Sequence, residues 1–346
     1  MKDLTASPTS VRRLALTTVV AYALLVLSGG AVRLTGSGLG CPDWPSCYHT
    51  RLVAALSFHP MVEDVNRFFT GAVSVLSIVA FLAVWRRSPR RGDLFYPAGG
   101  LLVGLLAQIV LGGIVVLTKL NPYLVCLHFL LTLVVLAVAI VLFHRAGVPD
   151  EFAGEPPVAN VGRDLHWLTR VLLLVLAVVS LAGTVVTGSG PHAGAPGTRR
   201  IPIAFRDAAE LHSSLAWMLL GLSVASLFAF HLAKAPQTVQ RRMRMFFELV
   251  MVQGALGYTQ YFLHDAAGVV ELHLAGVTAL WIAAIFLYLS LDSRPALLLP
   301  STISPVGYKQ AWLDEPAATP EPVGPALSGV EPRSTASRAP SPAGPG

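Results

Sequence analysis

The chain has 346 residues, of which 54% are hydrophobic and only 13% charged, with a mean hydropathy of +0.63. A soluble domain carries about a quarter of its residues as charges, so this composition excludes an ordinary water-soluble fold and calls for lipid. The net charge of +6 gives no support to nucleic-acid binding, because the cations are spread over short polar turns without an aromatic-interleaved patch.

Crossing a ~30 Å hydrocarbon layer takes about 20 helical residues, and eight runs meet that length. They predict helices over 13–34, 62–85, 95–117, 122–143, 166–187, 206–231, 243–263 and 268–290. The first run lacks a small-residue cleavage site and continues into a glycine-rich stretch, so it is expected as a retained helix rather than a removed leader. Lys and Arg accumulate in cytoplasmic loops. Here Lys2, Arg12 and Arg13 precede the first run, and Arg86, Arg87, Arg90 and Arg91 follow the second. Arg145 and Arg163 lie between runs four and five, with Lys234, Arg241, Arg242 and Arg244 between six and seven. The opposite loops carry chiefly Arg51, Lys119, Arg199 and Arg200, so both termini are expected in the cytoplasm.

The first outward stretch, GGAVRLTGSGLGCPDWPSCYH over 29–49, holds a density of glycines that could cradle a phosphate. It follows a helix-length run rather than a strand, no Lys-Ser/Thr pair closes it, and two cysteines interrupt it, all of which argue against a nucleotide loop. A polar, Pro-rich linker over 147–164 divides the eight runs into four plus four. The expected organisation is an N-terminal half over 12–145, a cytoplasmic linker over 146–165, a C-terminal half over 166–292 and a disordered Pro/Ala-rich tail over 293–346. The halves look alike. LTGSG at 34–38 is answered by VTGSG at 186–190, and QIVLG at 108–112 by QGALG at 253–257. Gln108 to His128 and Gln253 to His273 are both twenty residues, which predicts a duplicated four-helix unit.

Seven of the ten histidines (His49, His59, His144, His166, His192, His231 and His264) fall in loops or at helix ends and read as polar boundary residues. His128, His212 and His273 instead lie five or six residues inside runs four, six and eight, roughly 8–10 Å below the outer boundary. A single intramembrane histidine can be an interhelical hydrogen bond; three at one depth on alternate helices point to ligation. Helical bundles hold haem through facing imidazoles, whereas zinc would want a further Cys, Asp or Glu in a tetrahedral set. No HExxH, CxxC or CxxCH occurs, so covalent haem attachment is not indicated. At the start of run two, VEDVNRFF puts Glu63, Asn66 and Arg67 on one helical face, with Asn66 where the repeat would have a partner of His212. Glu63 reads either as half of a Glu63–Arg67 ion pair that anchors the helix or as a carboxyl available for proton transfer.

The first outer loop GGAVRLTGSGLGCPDWPSC, VEDVNR, QIVLGGIVVLTKLNPYLVCLH, ELHSS, QGALGYTQ and ELHLAG occur in this order over 12–290. In this ordered set the chain resembles the haem A synthases. The resemblance implies an all-α membrane protein of eight transmembrane helices, built as two pseudo-repeated four-helix bundles. It implies an oxidoreductase that converts the C8 methyl of haem O to a formyl group by successive hydroxylations, making haem A for terminal oxidases. Non-covalent haem b would be held by His212 and His273 in the C-terminal half. Substrate haem O would be held by His128 in the N-terminal half, with Glu63 as the catalytic carboxylate and Asn66 and Arg67 in the pocket. Many members carry a histidine three residues after the Glu, where this chain has Asn66.

Within that resemblance, Cys41 and Cys47 face the oxidising side and could close a small ring, a stapled lid over the N-terminal site, with Arg33 as partner of a haem propionate. The plainer alternative is a rigid outer turn. Cys126 reads as a small packing residue. Expected partners are haem O itself, haem O synthase, cytochrome oxidase assembly factors and an electron donor that the residues do not identify, at a bacterial plasma membrane. A quinol-linked di-haem b electron carrier and a haem transporter or chaperone are the competing classes; neither explains Glu63 and the cysteine loop as well.

Overall fold

The computed structural model describes residues 5–48 and 56–293. Lys2, His49, Arg51 and the tail from 294 onward, all given expectations above, lie outside the described residues. Eight long helices make up the rest: α1 Pro8–Leu34, α2 Phe58–Trp85, α3 Gly92–Leu117, α4 Pro122–Ala146, α5 Arg163–Ser189, α6 Phe205–Leu232, α7 Gln237–Phe262 and α8 Ala267–Leu289. Seven are long and apolar enough to cross a membrane. The exception is α7, whose early turns carry Gln237, Gln240, Arg241, Arg242 and Arg244, with Glu248, Gln253 and Gln260 further along.

Local chemistry sets the helix ends. Ser7 caps α1 by accepting from Ser10 N–H at 3.1 Å, and Pro8 follows in the first turn, so α1 begins before the apolar run does. Asn121 caps α4 in the same way, with Pro122 after it. α2 starts at Phe58, which brings His59 into its first turn rather than into the preceding loop. The turns after α3 and α7 share one unusual backbone. Lys119 and Leu120 have φ of 54° and 58°, and His264 and Asp265 have 53° and 58°. In each turn the second of these residues donates its N–H to the carbonyl five positions back, Leu120 to Val115 and Asp265 to Gln260.

Antiparallel neighbours α3/α4, α5/α6 and α7/α8 pack most extensively, and α1 lies against α2, α4 and α8. Apolar side chains form two cores. One joins Val11, Tyr22, Leu94, Leu101, Leu136 and Ile140. The other joins Leu172, Leu176, Phe230, Met243, Phe246 and Leu287, and Trp281 of α8 packs against both. Trp281 Nε1 donates to the Leu133 carbonyl at 2.9 Å, tying α8 to α4.

The end of the bundle carrying the α2–α3 turn holds a buried charge network. Arg87 pairs with Asp150 at 2.5 Å, and Arg91 pairs with Asp93 at 2.7 Å while donating to the carbonyls of Val148 and Arg145. Burial lowers the pKa of Arg91, but hydrogen bonds and charge from Asp93 and Asp150 more than offset it and raise the group above its ordinary value. The linker is held as well: β1 (Val158–Ala159) pairs antiparallel with β2 (Asp292–Ser293), and Asn160 donates to the Ser290 carbonyl. Arg91→Ala is expected to destabilise the protein by about 2–3 kcal/mol, because it removes the partner of half-buried Asp93 and leaves two carbonyls without their donor. Thermal unfolding in detergent measures this, and an unchanged melting temperature would show the network to be dispensable.

Candidate haem and lid sites

The three intramembrane histidines share a local design. Each comes from an even-numbered helix and lies against a glycine of the helix before it. A Cβ added at Gly112 would lie 3.3 Å from His128 Cε1, one at Gly183 would lie 3.1 Å from His212 Cε1, and one at Gly257 would lie 3.4 Å from His273 Cε1. Any larger side chain on α3, α5 or α7 would therefore push the imidazole away.

Two glutamines repeat as well. Gln108 Nε2 donates to the His128 carbonyl at 3.2 Å and to Thr132 Oγ1 at 2.8 Å, and Gln253 Nε2 donates to the His273 carbonyl at 2.9 Å. Oε1 of both glutamines and Nδ1 of both histidines are buried without a partner. The letters QIVLG and QGALG and their common spacing to histidine were the sequence signal; the glycine contacts had none.

His212 and His273 are brought together, with ring centres 6.4 Å apart and planes nearly perpendicular at 81°. His212 Nδ1 lies 3.1 Å from the Val179 carbonyl. Since a carbonyl only accepts, Nδ1 carries the proton and Nε2 keeps its lone pair free. Among the described residues no group of three or more His, Cys, Asp or Glu is placed to hold a metal ion. Any metal placed between these two rings would have two protein donors. Two residues before His273, Glu271 Oε2 is buried without a partner, close to Gly30 of α1.

His128 has no such partner. Asn66 Oδ1 accepts from Ser28 Oγ of α1 at 2.7 Å, and no hydrogen bond joins Asn66 to His128. His59 Nδ1 bonds Ser37 Oγ at 3.0 Å, in the loop after α1.

That loop is stapled by a Cys41–Cys47 disulfide, both cysteines buried. Glu63, 4% exposed, holds it from α2: one carboxylate oxygen accepts from Cys41 N–H at 2.8 Å and the other from Arg67 at 2.7 Å. Arg67 donates in turn to the carbonyls of Cys41, Asp43 and Ser46 at 2.9, 3.0 and 3.2 Å. Trp44 rests on Gly113, where a Cβ would come within 2.7 Å of the indole, directly beside the Gly112 that floors His128. Gly40 abuts the His59 carbonyl so closely that a Cβ would overlap it.

Arg33, at the end of α1, reaches toward α5. Its Nε and Nη2 donate to the carbonyls of His192 and Thr187, at 2.8 and 3.0 Å, at the end of α5 and in the loop beyond. Gly38 N–H donates to the Gly194 carbonyl at 2.8 Å, and His192 Nε2 bonds the Asp265 carbonyl at 2.7 Å, so three outer connections are joined in series. Cys126 is buried, its Sγ 3.5 Å from the Thr184 carbonyl.

The chain is similar in sequence to several known proteins. A heme A synthase of Lysinibacillus sphaericus is 24% identical over 223 residues, 62% of this chain and 70% of that protein. One from Geobacillus kaustophilus is 32% identical over 111 residues, 32% of this chain and 34% of its own length, and one from Bacillus pumilus is 28% identical over 170 residues, 47% and 54%. The model of the COX15-CtaA family, described as cytochrome oxidase assembly protein, matches residues 12–285. That match takes in every helix from the first turns of α1 to the later turns of α8, and the chain belongs to this family.

Proposed function

We propose that this chain is a multi-pass membrane oxidoreductase that converts haem O to haem A by oxidising the C8 methyl group to a formyl group. Family membership and the heme A synthase relatives support the activity. The observation that carries it within the chain is the pair His212 and His273. Their ring centres stand 6.4 Å apart, and His212 keeps Nε2 free, so the two imidazoles would hold one metal between them. With no group of three donors among the described residues, such a metal would bring its remaining ligands with it, as a macrocycle does.

In this reading His212 and His273 would hold haem b, with Val179 fixing the tautomer of His212. When bound, haem b supplies electrons and the iron of haem O supplies oxygen chemistry at its own methyl group. The chain's residues bind and orient. His128 is assigned to the substrate iron alone, because the Asn66 amide oxygen is already taken by Ser28. Glu63 and Arg67 hold the lid over this pocket, and Glu63 is assigned the proton transfers. Arg33 spends Nε and Nη2 on carbonyls, so its propionate role rests on Nη1.

The same reading takes all eight helices across the membrane, with both termini cytoplasmic, as two copies of a four-helix unit. Gln108 and Gln253, Gly112 and Gly257, the left-handed pairs after α3 and α7, and His128 and His273 support the duplication, each pair 145 residues apart. α7 then crosses as the counterpart of α3 despite its polar start.

Co-expression with a haem O synthase in a host lacking haem A, followed by mass analysis of extracted haems, tests the activity. A formyl haem is the expected product; unchanged haem O in a folded, electron-supplied protein overturns the assignment. His212→Ala and His273→Ala should each remove the low-spin bis-imidazole absorption of the purified protein, and an unaltered spectrum in both would show the wrong pair was chosen. Gly257→Val should displace His273 and lose the same absorption. Gly254→Val, one turn away with open space around it, should keep it, and equal spectra from the two would refute the floor role. Glu63→Gln should leave haem b intact while cutting haem A yield about 100-fold or more; near-parental yield would return Glu63 to the ion-pair role.

A further inference from the structure

A cavity lies at the far end of the bundle from the lid. About 630 Å³ opens between the C-terminal turn of α6 and the N-terminal turns of α7, lined by His231, Lys234, Thr238, Arg241 and Arg244 together with glutamine amides. No acidic side chain lines it.

We propose that this cavity binds the phosphate of an anionic phospholipid whose acyl chains run down the outer faces of α6 and α7. Two arginines at this end are neutralised by acids, and the cations of the cavity are not. Arg87 and Arg91 are paired with Asp150 and Asp93, and Arg242 donates to the Phe286 carbonyl at 2.6 Å. Lys234, Arg241 and Arg244 make no ion pair with any described residue. Glu248, one turn beyond Arg244, is not paired with it either. Setting membrane orientation asks only that cations lie on one side. It does not ask them to converge on one cavity with every acid kept out. The N-terminus of α7, a 26-residue helix, opens on the same space and adds its unpaired N–H groups.

The surroundings favour an amphiphile over free phosphate. Phe228 lies three residues before His231 and Met245 four after Arg241, so they continue the two cavity-bearing faces toward the membrane interior. Both are exposed, at 65% and 44%, and Leu232 at 77%. A phosphodiester in the cationic cavity and hydrocarbon along these side chains match that order of chemistry.

Native mass spectrometry of the full chain in detergent, titrated with phosphatidylglycerol or phosphatidylcholine, tests the proposal. The parent should retain one phosphatidylglycerol with a preference of about 10–100-fold over phosphatidylcholine, as expected for three nearby cations. The Lys234→Gln/Arg241→Gln/Arg244→Gln variant should lose that preference, while Arg241→Lys/Arg244→Lys should keep it. If the neutral variant fails to fold, raising the salt on the parent should remove the preference in its place. Equal retention of the two lipids, a preference that survives neutralisation or salt, or displacement of the lipid by millimolar inorganic phosphate would each overturn the proposal, the last in favour of a free-phosphate site. None of these outcomes depends on haem chemistry.

Discussion

Hydrocarbon offers no hydrogen bonds, so each polar group on these helices must find its partner inside the protein. Most do so within their own helix. Thr18, Ser77, Thr169, Ser180, Ser223 and Ser226 each donate to the carbonyl four residues back, which hides the hydroxyl and leaves the packing surface apolar. The described side-chain atoms that stay buried and unpaired are few, and they cluster: Gln108, His128, Gln253, Glu271 and His273 supply most of them. Such groups cost stability wherever they occur. Their concentration around three imidazoles is what sets this region apart from the rest of the bundle.

The outer surface answers the same constraint differently. The loop after α1 is too short and too rich in glycine and proline to build a core, and its carbonyls would hang over the helix ends unpaired. Arg67 collects three of them, Glu63 takes the Cys41 N–H, and the disulfide holds the ring closed beneath both. A carboxylate committed to a backbone N–H and a guanidinium is positioned more firmly than either contact alone would manage. The two readings of Glu63 raised by the sequence are therefore compatible. The ion pair is present, and it fixes the carboxylate at the lid, over the side where His128 lies.

Much of the helical layout was legible because the hydrocarbon constraint acts on composition, which a sequence displays directly. All eight helices read as apolar runs; α7 is a helix as expected, but it is the one among the described residues not apolar enough to count as a span. The errors have local causes. α1 and α2 begin before their apolar runs because helix ends are set by caps and turns rather than by apolarity, and this moved His59 from loop to helix. At the site, the twenty-residue spacing from Gln to His was visible and proved to mark a hydrogen bond in both halves. What stayed hidden involves the main chain. The bond from Cys41 N–H to Glu63, the carbonyls held by Arg33 and the glycine floors under three imidazoles leave no mark on residue identity, since 30 glycines look alike in a sequence.

Under the proposed function, the two sites would differ at one position. On α6 an imidazole sits against Gly183 and spends its Nδ1 proton on Val179, which leaves Nε2 free. On α2 Asn66, which the proposed repeat sets against His212, is shorter, and its oxygen is satisfied by Ser28 of α1, the helix that packs beside it. An amide so engaged has little reason to turn toward His128, and an amide oxygen competes poorly with imidazole for iron. Under the proposed function, two equivalent imidazole pairs would suit a chain that only passes electrons, whereas one complete and one incomplete pair would suit a chain that carries electrons at one site and admits a reactant at the other. The two sites nonetheless share one frame: Trp281 binds the Leu133 carbonyl and Arg33 the carbonyls of Thr187 and His192, so a displacement of the lidded half is felt in the half that carries the paired imidazoles.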